Sequence, residues 1–190
     1  SLGLVFQAGD FDLTIDAYRI EITDQIVLSE NISRTFSAQV ASLLDPLGVS
    51  AARFFINGVN TETEGVDVVA RYQLDAGAYG DFDFVAAVNF NDVSVTRVPT
   101  SLSALSPTPT LLGRNRILTI EQGTPGEKAV LSADWTLDNW GATVRASYYG
   151  DVLQPGASAA ADFRTGEHTL FDFEGRYRFS ETISFALGVD

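Results

Sequence analysis

Few of the side chains able to do bond chemistry stand in useful company here. The one histidine, His168, lies beside Glu167, and a lone imidazole builds no His-rich metal site. With no cysteine there is no thiolate metal site, no cysteine nucleophile and no disulfide framework. Carboxylates pair at a spacing of two, Glu62 with Glu64 and Asp81 with Asp83, so each pair shares a strand face. No Asp-x-Asp-x-Asp-Gly loop accompanies them. Glycine-rich phosphate loops, a G-x-S-x-G elbow and an ordered Ser, His and Asp set are also missing. The expectation is no catalytic residue, no metal and no cofactor: a protein that binds and is not an enzyme.

What remains is mixed charge on alternating runs: Asp67 and Arg71, Asp134, Arg145, then Asp172, Glu174, Arg176 and Arg178. Such a face reads as solvated, with cross-strand ion pairs of roughly 0.2–1 kcal/mol each. A net charge of −13 opposes nucleic-acid binding, which depends on clustered cations releasing counterions from phosphates.

The elements that carry these charges are strands. From Phe171 to Phe179 aromatic and apolar residues (with Gly175) alternate with Asp172, Glu174, Arg176 and Arg178, a period of two. After a turn at Ser180, Glu181 and Thr182 the alternation resumes through Ile183, Phe185, Leu187 and Val189, which reads as a hairpin. The same pattern runs from Leu2 to Ala8, Phe11 to Ser29, Arg53 to Leu74 and Asp81 to Val98. It returns in a run containing RILTIEQ that is broken at Gly123, Pro125 and Gly126 and resumes through Leu137, and again from Ala142 to Tyr149. In the second run the apolar phase slips from Phe11, Leu13 and Ile15 to Tyr18, Ile20 and Ile22, predicting a bulge near Asp16 or Ala17. Gly58 and Gly65 mark bulges or close backbone approach.

Long connections fall at about residues 30–51, 99–114 and 153–165. In the first, Val40, Leu43, Leu44 and Leu47 have helical spacing behind a Ser37 cap, stopped by Pro46 and Gly48. That stripe is expected to dock the loop on its own neighbours.

The fold class is therefore all-β: an antiparallel up-and-down meander of about eight strands forming a single partial domain over residues 1–190. Short turns and long loops alternate strictly, so every short turn lies at one end of the sheet. Outer-membrane β-barrels keep this parity, and a soluble meander has no reason to. Phe11, Tyr79, Phe82, Trp140, Phe179 and Phe185 cluster at the short-turn end, as an aromatic girdle requires. No apolar run approaches the roughly 20 residues of a membrane helix.

The order and spacing of LTIDAYRIEITDQIVLS, FFINGVNTETEGVDVVARYQL, the run from Lys128 to Trp135, VRASYYGDV and FDFEGRYRFSETISFALGVD resemble the later part of the barrel of TonB-dependent outer-membrane receptors. The resemblance implies a segment of a 22-stranded barrel in a Gram-negative outer membrane, in contact with outer-membrane lipid and with the plug domain of its parent chain. Through that plug it implies the TonB system, and as ligand a large scarce solute such as a ferric siderophore, cobalamin or an oligosaccharide. Asp67, Arg71, Asp134, Arg145, Asp172, Glu174, Arg176 and Arg178 would face the plug in the lumen; Arg34, Phe36, Arg114, Phe163 and Arg164 would meet the solute on the long loops. No plug and no plug-preceding motif are seen in the sequence, and the run ending at Asp190 resembles the penultimate strand, so an excised fragment is expected. Eight strands of so wide a barrel leave two edges, and the isolated piece is expected to curl into a sandwich or smaller barrel, or to self-associate. A passive porin-like barrel and a soluble all-β carbohydrate-binding or adhesion module are the alternatives.

Overall fold

The computed structural model describes residues 1–100 and 104–190; the part of the predicted loop 99–114 at 101–103 lies outside the described residues. Eight strands form one sheet: β1 (Leu2–Ala8), β2 (Phe11–Leu28), β3 (Phe55–Asp75), β4 (Asp81–Arg97), β5 (Glu127–Leu137), β6 (Trp140–Tyr149), β7 (His168–Arg178) and β8 (Ser184–Val189). Each pairs antiparallel with the next, so the order is a plain meander. The sheet is open. β1 and β8 are its edges and do not pair with each other, so the expected curling into a closed smaller barrel does not occur.

Turn chemistry explains the short end. Ala8 pairs with Phe11 across Gly9 and Asp10, and Gly9 sits at φ 58, where a side chain is disfavoured. Leu137 pairs with Trp140 across Asp138 and Asn139, with Asp138 at φ 52. On the apolar face Trp140, Tyr177 and Phe185 fall in one row, the Trp140 and Tyr177 rings 4.5 Å apart.

The predicted bulge at Asp16 or Ala17 is absent. β2 pairs without a break from Phe11↔Tyr72 to Ile22↔Thr61, and its register shifts only beyond Ile22, around Gln25, where Asp24 adopts φ 54. The phase slip has another cause. Up to Ala17 the outward face carries Phe11, Leu13 and Ile15, level with Val66, Val68, Ala70, Tyr72 and Leu74 on β3. Above that level the outward residues become Arg19, Glu21, Glu62, Glu64 and Asp92, and Arg19 bridges Glu62 (2.5 Å) and Glu64 (3.3 Å). The pairing runs on without a break while the outward residues change from apolar to charged, so hydrophobicity crosses to the other face at Tyr18, Ile20 and Ile22. From Val66 to Leu74, at about 3.3 Å per residue, the band covers about 26 Å of strand, or about 20 Å of height at the roughly 40° strand tilt of outer-membrane barrels, whose apolar band is roughly 25 Å tall.

The buried cores lie beyond this band, at the long-loop end. α1 (Ala38–Leu44) is capped by Ser37, whose hydroxyl accepts from the Val40 N–H at 3.2 Å, and Gly48 at φ 66 ends the short 3₁₀ turn that follows. Its buried Val40 and Leu44 pack with Ile32, Ala52, Phe54 and Leu105, so half of the predicted stripe docks, while Leu43 and Leu47 face outward and stay exposed. RILTIEQ, read in the sequence as strand, is helical within α2 (Arg114–Gln122). Pairing of β4 with β5 ends at Phe90↔Glu127, which leaves this segment no strand partner, and Ile117 and Ile120 instead pack on Ile56, Val59, Leu111 and Leu112.

Candidate functional site: the lumen face and the loop cluster

Cross-strand register assigns every residue to a face, because directly paired residues share one. Starting from Arg71, one face carries Asp12, Asp67, Asp83, Lys128, Asp134, Arg145, Asp172, Glu174, Arg176 and Arg178. All eight residues expected to face the lumen are thus on one side, opposite the apolar band.

Two knots organise the charge. Arg71 forks onto Asp83, Nη2 to Oδ2 at 2.7 Å and Nε to Oδ1 at 3.1 Å. Arg176 reaches across β6 to Asp134 at 2.6 Å, donates to Thr143 Oγ1 at 2.9 Å and lies 3.3 Å from Glu174; the Thr143 hydroxyl donates to Asp134 at 2.6 Å. Asp67 accepts from the Asn89 amide at 2.6 Å, and the same amide donates to Tyr18 Oη at 3.2 Å. The Tyr18 ring reaches Asn89 by lying across Gly65, where a Cβ would come within 2.4 Å of it and 2.8 Å of the Phe90 carbonyl oxygen. Arg145 stands opposite Asp172 in register. Asp83, Thr143, Asn89 and Tyr18 were not singled out for this face, although the hairpin register Tyr72↔Phe84 already puts Asp83 with Arg71.

A different row crosses this face: Thr14, Val69, Ala87, Val130, Ser147 and Leu170, in register on six strands. It carries no charge.

At the other end the long loops interlock. Glu30 receives the Gly113 N–H at 3.2 Å, its own N–H donates to the Leu111 carbonyl, and Gln39 bonds the backbone of Ala104 and Ser106. Of the residues expected to meet solute, Arg114 forks onto Asp162, with Nη1 to Oδ1 at 3.1 Å, and Arg164 holds Asp151 at 2.6 Å and Gln122 at 2.8 Å. The Arg114 guanidinium, helped by the Gly156 N–H, holds the Asp162 carboxyl below the usual carboxylate range, and Asp162 raises Arg114 in turn. Arg34 pairs with Asp45 at 2.7 Å inside its own loop. These three arginines are braces between or within loops, whereas Phe36 and Phe163 stand exposed. Arg114 meets Asp162 and Arg164 meets Gln122 at one seam, with Phe163 between Asp162 and Arg164 in the chain; Arg34 and Phe36 belong to the first loop. His168 opens β7 and is exposed.

A sheet with an apolar outer band, a charged inner face and all its long loops at one end is a wall segment of a transmembrane β-barrel. The chain belongs to the TonB-dependent receptor family: the model described as TonB dependent receptor-like, beta-barrel matches residues 1–190. Barrels of this family are outer-membrane proteins. Among solved structures the fold is similar to that of the copper transporter OprC, at 13% identity and TM-score 0.60, covering 98% of this chain and 23% of that one. It is also similar to the siderophore receptor PiuA from Acinetobacter baumannii, at 14% identity and TM-score 0.57, covering 98% and 22%. The chain thus spans less than a quarter of the length of either. No curated protein matches it.

Proposed function

We propose that this chain is part of the wall of an energy-coupled outer-membrane transporter that takes up a large scarce solute, of the ferric siderophore, metal-complex, cobalamin or oligosaccharide kind. The observation that carries the reading is the family match over the full chain, joined to a sheet whose inner face is charged and whose loops form one assembly at the outer end. Its work is binding and gating, with no bond made or broken. Asp67, Arg71, Asp134, Arg145, Asp172, Glu174, Arg176 and Arg178 serve as the socket for the plug domain, through which the TonB system pulls. Phe36 and Phe163 are the loop residues free to stack on an apolar or sugar-like part of the solute, held in place by Arg34, Arg114 and Arg164. The isolated segment, with an exposed apolar band and two free edges, self-associates in water.

The test uses cells whose only intact receptor is the parent protein, offered labelled ferric siderophore, copper complex, cobalamin and oligosaccharide in turn. Accumulation of one of them that stops when TonB is deleted is expected. Accumulation that continues without TonB would establish a passive pore instead.

A further inference from the structure

We infer that α2 is a conditional helix, held in shape by groups borrowed from the neighbouring loops and poised to extend and add to the free upper edge of β4 as a continuation of β5. The inference stands on the geometry of the loops and holds equally for a transporter and for a passive pore.

Local chemistry opposes this helix. Arg114 and Arg116 put positive charge in its first turn and Glu121 puts negative charge in its last, each the reverse of what the helix dipole favours. Gly113 at the N-cap has no side chain to accept a backbone N–H. Ile117, Thr119 and Ile120 are β-branched, and the Thr119 hydroxyl bonds back to the Asn115 carbonyl at 2.7 Å. At nine residues α2 is shorter than the roughly 12–15 that are marginal alone in water. What offsets all this comes from outside the helix. Glu30 of the first connection accepts the Gly113 N–H, Asp162 of the third takes the Arg114 guanidinium, and Ile117 and Ile120 dock on Ile56, Val59, Leu111 and Leu112.

The other place is already prepared. β4 stays paired with β3 up to Arg97, but its last partner on the opposite side is Glu127, level with Phe90. One more ladder bond follows, from the Asn91 N–H to the Gly126 carbonyl at 2.8 Å. Strand alternation points the Val95 N–H at the same edge, and there the Glu121 carboxylate stands in for a strand, accepting it at 2.9 Å. Continuing the register of β5 sets Pro125 opposite Asp92, Thr124 opposite Val93 and Gln122 opposite Val95. Because the Asn91–Gly126 rung is hydrogen-bonded, Pro125 falls where its missing N–H faces away from β4. Beyond Gln122, Leu118 to Glu121 alternate apolar and polar as a strand requires. Pairing at Gln122 unwinds the last turn of α2, draws Gln122 from Arg164 and parts the seam between the second and third connections.

The experiment uses the full-length receptor in micelles, with any cysteine outside this segment replaced and spin labels on Asn115→Cys and Thr124→Cys, both at exposed positions. At about 1.5 Å per residue the labels lie about 14 Å apart along a helix, and at about 3.3 Å per residue about 30 Å apart along a strand. The unbraced receptor carries Glu30→Ala with Asp162→Ala, which removes both borrowed carboxylates. There the population at about 30 Å is expected to rise at least about tenfold over wild type, with the barrel still migrating as a folded band; Asp162→Ala alone is expected to shift it the same way by less. A distance that stays short in both variants would overturn the inference. So would a broad distribution with no peak near 30 Å, because the segment would then loosen without joining the sheet. Adding Val93→Pro, whose ring leaves pairing with β3 in place and blocks the edge that β5 would follow, is expected to abolish the longer peak; its survival would overturn the docking on β4. Uptake that continues without TonB bears on the transporter reading alone and leaves these distances unaffected.

Discussion

Leu43 and Leu44 are neighbours on α1, yet one is 56% exposed and the other 7%, which makes them a matched pair for testing what holds the first long loop. A seven-residue helix is marginal by itself, so α1 persists only because Val40 and Leu44 dock on Ile32, Ala52, Phe54 and Leu105. Leu44→Ala removes buried methyl groups and leaves a void, at about 3 kcal/mol for a site of this burial. At about 1.4 kcal/mol per factor of ten, docking weakens about a hundredfold. Leu43→Ala removes a side chain that already meets solvent for half its surface and costs under about 1 kcal/mol. The assay is amide hydrogen exchange of the receptor in micelles, read at α1 amides such as that of Ala41, which bonds the Ser37 carbonyl. Protection there is expected to fall about a hundredfold in Leu44→Ala and less than about fivefold in Leu43→Ala, with the amides of β3 between Val66 and Leu74 unchanged. Equal effects of the two substitutions, or loss of protection spreading into that part of β3, would refute the view that this loop is a separately cored unit.

On the outer face Leu131→Arg is expected to cost about 2–4 kcal/mol in barrel stability, and Ser132→Arg on the lumen face far less, by denaturant titration in lipid. Gly65→Ala should destabilise by about 1–3 kcal/mol, because the Phe90 carbonyl cannot yield; Gly3→Ala should be milder, since its nearest neighbour is the movable carboxylate of Asp16. The contact between the second and third loops should survive mild acid. The Asp162 carboxyl is lowered by Arg114, so its contribution is present above the ordinary aspartate range and is lost only as pH falls through the lowered value. Spin-label distances between the loops should therefore hold at pH 5 and lengthen only in stronger acid, while Asp162→Asn should abolish the pH response. Replacing Arg176 and Arg178 together in the parent receptor should weaken plug retention, read as antibiotic leak; unchanged retention would remove them from the socket.

Strand number, turn parity and the common face of the eight charged residues were legible in the sequence, because a period of two and hairpin turns are local signals. Ser37 and Gly48 announced α1 for the same reason. The slip at Asp16 was legible but ambiguous: a bulge and a change of surroundings both move hydrophobicity to the other face, and only the partner strand's register separates them. RILTIEQ failed through tertiary context, since the four alternating residues Leu118 to Glu121 fit a strand as well as a helix until the end of β4–β5 pairing removes the strand's partner. The loop arginines look in sequence like free cations awaiting an anion. Their carboxylate partners, such as Asp162 for Arg114 at a separation of 48 residues, become visible only when the loops are folded together.

The loops' mutual bracing also bears on how the proposed recognition by this wall can change. Glu30 and Gln39 of the first connection hold the second, and Arg114 and Gln122 of the second hold the third. A new specificity cannot be installed by exchanging one loop, because the incoming segment would leave its neighbours' polar groups and apolar contacts without partners. The outer surface of this segment is inherited as a block, and a graft that carries all three connections together is the smallest exchange expected to transplant it.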